Sequence, residues 1–177
     1  EMNERTVHTH KIARIGGVAI YVAFIISMAM YASVDASING VLVGGTIMFI
    51  GGLIDDMVNL RPRYKLAFQC MAAVVLMGMG GITFGITFSM GIISYLVTFF
   101  WIIGITNAVN LIDGLDGLAG GISVIILIVI ATLSVIEGRF DIQMLSLLLA
   151  GATLGFLVYN SHPASIFMGD CLSLIHI

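Results

Sequence analysis

The stretch NAVNLIDGLDGLAGG, residues 107–121, places amides and carboxylates at short intervals in an otherwise apolar chain. Asn107 and Asn110 are three residues apart, so on a helix they share one face. The glycines after Asp113 and Asp116 allow the chain to turn and to bring both acids back toward that face. Amide and carboxylate oxygens are ligands that Mg²⁺ prefers. The stretch therefore predicts an oxygen-lined cation site, and an asparagine-rich turn between helices is the alternative.

A second polar group lies in GGLIDDMVNLRPRYK, where Asp55 and Asp56 precede the three cations Arg61, Arg63 and Lys65. Neighbouring residues of a helix project about 100° apart, so we expect the two acids to have different roles. Two adjacent carboxylates repel each other unless a metal ion or a cation offsets their charge. An acidic pair that merely ends a membrane span at the lipid headgroups is the alternative.

Asp170 closes the stretch IFMGD, in which an apolar run meets a glycine and a single acid. Alone it is a weak signal, but it adds a further carboxylate to the acids and cations of the two stretches above. Carboxylates with Mg²⁺ and nearby Lys or Arg hold a diphosphate and neutralise charge at the leaving oxygen in phosphoryl transfer. The combination predicts phosphoryl chemistry.

The elements that must position these residues are membrane helices. Of the 177 residues, 59% are hydrophobic and 10% are charged, whereas soluble domains carry about a quarter charged residues. No basic run of the kind that binds nucleic acid is present. A spanning helix needs about 20 mostly apolar residues. We therefore predict an all-α, polytopic transmembrane helical bundle with about six spans, at residues 15–33, 40–56, 65–82, 90–109, 118–136 and 142–160.

The distribution of basic residues predicts the orientation of the bundle. Six of the seven Lys and Arg residues lie before the first span or between the second and third, and Arg139 is the exception. By the positive-inside rule that side is cytoplasmic. The same topology places all the acids of the three stretches on the cytoplasmic side. This placement is independent of the Lys and Arg count, which alone sets the predicted orientation.

Four motifs resemble, in order and spacing, those of the polyprenyl-phosphate N-acetylhexosamine-1-phosphate transferases: NERTVHTHKIARIGGVAIY, GGLIDDMVNLRPRYKLAFQ, NAVNLIDGLDGLAGGIS and FMGD. Within that family the chain is most similar to the bacterial undecaprenyl-phosphate GlcNAc-1-phosphate transferases. The resemblance implies Mg²⁺-dependent transfer, with Mn²⁺ as a substitute, of a HexNAc-1-phosphate from a UDP-sugar to undecaprenyl phosphate. UMP would be released, and cell-wall or surface glycan synthesis would begin. The resemblance also implies a multi-pass protein of the bacterial plasma membrane and allows a homodimer.

The resemblance assigns roles to individual residues. Asn110 and Asp170 match residues that hold the metal, and Asp55 and Asp56 match a pair proposed to bind metal or to deprotonate the lipid phosphate. The lipid phosphate is already anionic at neutral pH. We therefore favour direct attack on the UDP β-phosphorus over a covalent aspartyl intermediate.

The remaining candidates are placed near the nucleotide and the phosphates. Asp113 and Asp116 match a loop close to the nucleotide and the metal, and they complete the catalytic set. The expected substrate-binding residues are Lys65, Asn107, Arg61, Arg63, His8 and Arg14, the last two from the first cytoplasmic motif. Relatives have further spans on both sides, so we expect residues 1–177 to be one transmembrane transferase domain that is incomplete at both ends, with 171–177 as a non-native or truncated tail.

Three other functions compete with this interpretation. The first is the related transfer of phospho-MurNAc-pentapeptide in peptidoglycan synthesis, whose members have a longer insert after the paired acids. The second is cation or proton transport, which needs polar groups near the bilayer midplane; span centres such as VIILIVIATL carry no charge. The third is a non-catalytic membrane scaffold, which would leave the clustered acids unexplained.

Overall fold

The computed structural model describes residues 16–31, 36–85 and 91–169, and within these ranges the regular elements are α-helices. They are α1 (Gly16–Tyr31), α2 (Ala36–Val58), α3 (Pro62–Gly80), α4 (Ile92–Ile112), α5 (Leu118–Ile136) and α6 (Phe140–Asn160). Each helix corresponds to one predicted span, and the all-α bundle is confirmed. The candidates His8, Arg14 and Asp170 lie outside the described residues.

Among the described residues, four helices are long and apolar enough to cross a membrane: Ser37–Val58, Ile92–Ile112, Leu118–Ile136 and Phe140–Asn160. The 16 described residues of α1 rise about 24 Å, less than the roughly 30 Å of a hydrocarbon core. Helix α3 begins with Arg63 and Lys65 in its first turn, which shortens its apolar stretch. In the described residues a helix lies at each of the six predicted spans. Four of these helices have the length and the apolarity that a full membrane span requires.

The bundle is built from two helical hairpins. Helix α2 packs along α3 and α5 along α6, whereas α1 joins the second hairpin through α6 and α4 joins the first through α3; α4 and α5 touch little. Helices α2 and α3 approach so closely that a Cβ atom on Gly40 would overlap the backbone of Gly80. Small residues permit such close approach in membrane helices, where dispersion and not water exclusion drives association.

Buried hydroxyl groups within the bundle bond to their own helices. Thr106 Oγ1 donates to the Ile102 carbonyl at 2.7 Å, and Thr153 Oγ1 donates to the Leu149 carbonyl at 2.8 Å. A polar group in lipid is costly unless it has a partner within the protein. These side chains therefore serve packing and are not candidates for chemistry.

Candidate active site

The turn between α2 and α3 is organised by Asp55. Its main-chain carbonyl accepts from Asn59 N at 2.8 Å, and its Oδ1 accepts from Leu60 N at 2.7 Å. Asn59 has φ 50°, a left-handed conformation that asparagine tolerates better than most residues. Pro62 then begins α3 at a position where no N–H is needed. The acid thus ends one helix and fixes the short connection to the next.

The Asp55 carboxylate also pairs with Lys65. Its Oδ2 forms an ion pair with Lys65 Nζ, and the two side chains are 4% and 30% exposed respectively. A buried carboxylate requires such compensation, because its desolvation is expensive. Asp56, the next residue, is half-buried. Burial therefore distinguishes the two neighbouring acids, as the helical geometry predicts.

The other two cations of this stretch, Arg61 and Arg63, are exposed at the start of α3. Arg61 precedes the helix in an extended conformation. The Arg63 guanidinium lies 4.9 Å from the centre of the Tyr64 ring and donates to the Tyr64 hydroxyl at 3.2 Å. Both cations therefore stand at the surface beside the acid pair, where anionic groups can reach them.

Helices α3 and α4 are joined near this end by an amide pair. Gln69 Nε2 donates to Asn107 Oδ1 at 3.3 Å, and Asn107 Nδ2 donates back to Gln69 Oε1 at 3.0 Å. Gln69 is 2% exposed and follows Lys65 by one helical turn. The predicted substrate-binding residue Asn107 is thereby connected, through α3, to the ion pair that holds Asp55.

The end of α4 carries two more candidates. Asn110 is half-buried one turn after Asn107, and Asp113, also half-buried, caps the helix. Their amide and carboxylate oxygens have the chemistry of Mg²⁺ ligands. In the described part of the chain, no group of three or more His, Cys, Asp or Glu side chains could hold a metal ion. The oxygens of Asn110 and Asp113 thus fit the cation by their chemistry.

The loop between α4 and α5 is attached to the segment after α6. Asp116 Oδ2 accepts from Ala164 N at 3.2 Å and lies 3.1 Å from His162 Nδ1. Gly117 N donates to Asn160 Oδ1 at 3.0 Å. Gly117 has φ 71°, which favours glycine at this position. The expected turn after the acids is therefore present, and it directs Asp116 toward the end of α6.

The segment after α6 is hydrogen-bonded to the start of α1. Asn160 Nδ2 donates to the Ile166 carbonyl at 2.9 Å. Gly16 N and Gly17 N donate to the carbonyls of Phe167 and Met168 at 3.1 and 2.8 Å. These bonds bring the described residues that immediately precede Asp170 to the same end of the bundle as the α4–α5 loop.

The structure thus brings the described candidates together at one end of the bundle in two groups. One is the α2–α3 turn with its link to α4, and the other is the α4–α5 loop with its link to α6. Three residues that make these links were not among the predicted site residues: Gln69, Asn160 and His162. Gln69 follows Lys65 by four residues and closes the motif GGLIDDMVNLRPRYKLAFQ, and these were the available signals for it.

The helices, their apolar length and the acids at one end define the class of protein: an all-α membrane bundle with an acid-rich end. The family model of glycosyl transferase family 4 matches residues 38–176. The chain belongs to this family, and the resemblance seen in the motifs is confirmed.

Curated relatives agree with this assignment. A probable undecaprenyl-phosphate N-acetylglucosaminyl 1-phosphate transferase of Bacillus subtilis (strain 168) is 40% identical over 97% of this chain and 50% of that protein. A phospho-N-acetylmuramoyl-pentapeptide-transferase of Streptococcus suis (strain 05ZYH33) is 35% identical over 90% of this chain and 54% of that protein. The chain therefore spans about half the length of these relatives.

Proposed function

We propose that this chain forms the acid-rich part of a membrane transferase that moves a HexNAc-1-phosphate from a UDP-sugar to a polyprenyl phosphate. The observation that carries the proposal is the clustering of Asp55, Asp56 and Lys65 with the α4 amides at one end of an apolar bundle. A lipid acceptor and a water-soluble donor must meet at the membrane surface. We therefore expect the transfer reaction at an end of the bundle and not at its middle.

GlcNAc-1-phosphate is the proposed group transferred, and undecaprenyl phosphate the proposed acceptor. The 40% identical relative carries this activity in its name. The compact turn of residues 59–61, tied to Asp55 at both Asn59 and Leu60, also favours it over the branch with a longer insert after the paired acids. Transfer of phospho-MurNAc-pentapeptide is the second candidate, because relatives with that name are 35% identical.

In the proposed reaction an oxygen of the lipid phosphate attacks the β-phosphorus of the UDP-sugar, and the bond to UMP breaks. Asp55 is occupied by Leu60 N–H and Lys65, so its contribution is to hold Lys65 beside the reacting phosphates. We assign to Asp56, which is less buried, the role of orienting or deprotonating the lipid phosphate. Positioning and charge neutralisation supply most of the rate in such transfers.

A divalent cation, Mg²⁺ or Mn²⁺, is part of the proposal. Asn110 and Asp170 would hold it, and Asp113 and Asp116 would lie beside it and the nucleotide. When bound, the ion would neutralise charge on the diphosphate. The exposed Arg61 and Arg63 would attract the donor or anionic lipid, and Asn107 would contact the donor. His8 and Arg14 remain proposed contacts of the phosphates.

The test is release of labelled UMP by a full-length hybrid protein, in which this chain replaces the matching half of a curated relative, in membranes supplied with undecaprenyl phosphate and Mg²⁺. We expect release from UDP-GlcNAc that requires the lipid phosphate and stops when a chelator is added. Asp141→Asn is the matched control, because Asp141 starts α6 at the opposite end from Asn160; it should leave release unchanged.

The donor used decides between the two candidates. Release from UDP-MurNAc-pentapeptide and not from UDP-GlcNAc would transfer the assignment to the peptidoglycan branch. A folded hybrid that releases UMP from neither donor would contradict the transferase proposal and favour the scaffold. An orientation test by cysteine labelling from either side of the membrane should place the α2–α3 turn in the cytoplasm.

A further inference from the structure

Gln69 is a polar side chain in the bundle that the proposed reaction does not use. It is 2% exposed, and it shares the buried face of α3 with Ala72 and Ala73. A buried amide is costly unless its donors and acceptors are bonded. Both groups of Gln69 bond to one residue, Asn107, on the neighbouring helix.

The pair fixes the orientation of the Asn107 amide. Asn107 Nδ2 has two hydrogens, and they go to Gln69 Oε1 at 3.0 Å and to the Ile103 carbonyl at 2.8 Å. An amide rotated by half a turn would place its oxygen against the Ile103 carbonyl, so this orientation is strongly preferred. Asn107 Oδ1 accepts from Gln69 and keeps one lone pair. Asn107, whose residue surface is exposed, can therefore meet a ligand only as a hydrogen-bond acceptor.

The same face of α3 carries Lys65, one turn before Gln69. Lys65 pairs with Asp55 at the end of α2, and Gln69 pairs with Asn107 near the end of α4. Residues four apart on a helix lie above one another. Two successive turns of α3 therefore set the relative positions of the acid pair and of the last turns of α4.

We propose that Gln69 is a positioning residue for the transfer reaction, acting through Asn107. It holds the Asn107 oxygen as an acceptor for a hydroxyl or N–H of the nucleotide sugar, and it holds the end of α4, with Asn110, in register with Lys65. The inference rests on the proposed function. A displacement of about 1 Å in such a site can cost a hundredfold in rate.

The experiment measures kcat/KM for UDP-GlcNAc in the full-length hybrid with Gln69→Leu, Asn107→Ala and both changes together. Gln69→Leu should lower kcat/KM at least tenfold. If Gln69 acts through Asn107, adding Gln69→Leu to Asn107→Ala should cause no further loss, since coupled residues are not additive. The matched control is Thr106→Val, which removes a buried hydroxyl of α4 bonded to Ile102 and should change kcat/KM less than twofold.

Two results would overturn the inference: a loss with Gln69→Leu no larger than that of Thr106→Val, or losses at Gln69 and Asn107 that multiply. If Gln69→Leu does not reach the membrane folded, Gln69→Met takes its place; it keeps an unbranched side chain of similar length and removes both hydrogen bonds to Asn107, so the same loss and the same coupling are expected. An unmodified hybrid without activity would instead contradict the proposed function itself, so the two failures are distinguishable.

Discussion

Removal of Lys65 should destabilise the protein more than neutralisation of its partner Asp55. In Lys65→Met the carboxylate stays buried, at 4% side-chain exposure, and loses its cation. Breaking a buried ion pair in this way costs about 3–5 kcal/mol. The 30% exposure of the Lys65 side chain places the expected loss near the lower end, at about 3 kcal/mol.

The reverse change is milder for a structural reason. In the unmodified protein Leu60 N donates to Asp55 Oδ1 at 2.7 Å, and in Asp55→Asn the amide oxygen can still accept this bond. The partly exposed ammonium of Lys65 can then be solvated by water. We expect a loss of about 1–2 kcal/mol. The double change should cost less than the sum of the two, because the pair then no longer contains a buried charge.

The assay is reversible unfolding of the hybrid protein in mixed detergent micelles, followed by circular dichroism. The control is Arg139→Met, since Arg139 pairs with Asp141 at 3.1 Å while its side chain is 51% exposed; such surface pairs contribute about 0–1 kcal/mol. A loss for Asp55→Asn equal to or larger than that for Lys65→Met would refute the reasoning. It would mean that the carboxylate is not buried in the folded protein.

Two other changes test the packing that positions the site. Asn160→Ala should lower the free energy of unfolding by about 1–3 kcal/mol, because it deprives the half-buried Gly117 N–H and the half-buried Ile166 carbonyl of their partner; a loss below about 1 kcal/mol in the same assay would show that the α4–α5 loop is held otherwise. Gly40→Ala should cost about 1–3 kcal/mol through overlap with Gly80. Gly45→Ala is its control, because a Cβ there meets nothing within 4 Å, and equal effects of the two alanines would contradict the close approach.

The positions of the helices could be predicted from the sequence because long apolar stretches mark them, although α1 and α3 fall short of a full span. The start of α5 and the end of α6 were predicted at residues 118 and 160, where the structure has them. The start of α2 was predicted at residue 40 and lies at Ala36, since polar residues at a span end do not mark the first helical turn. Helix α3 is the least apolar case, because its first turn carries the charged residues Arg63 and Lys65.

The site could be predicted as a set of acids and amides but not as a set of contacts. Asp55 and Asp56 look alike in the sequence, and only packing shows that one is buried against Lys65. Asn107 and Asp116 were expected in one oxygen cluster, yet Asn107 bonds to α3 and Asp116 to the segment after α6. Pairing between helices distant in sequence depends on tertiary packing, which local periodicity does not encode.

The most direct test of the central claim compares UMP release and unfolding for Asp56→Asn. If the acid-rich end performs the transfer, release from UDP-GlcNAc should fall at least a hundredfold, while the free energy of unfolding should change by less than about 1 kcal/mol, as for other partly exposed positions. Release at the unmodified rate from a folded Asp56→Asn hybrid would contradict the account. The acid pair would then only end the membrane span at the lipid headgroups and would take no part in the transfer reaction.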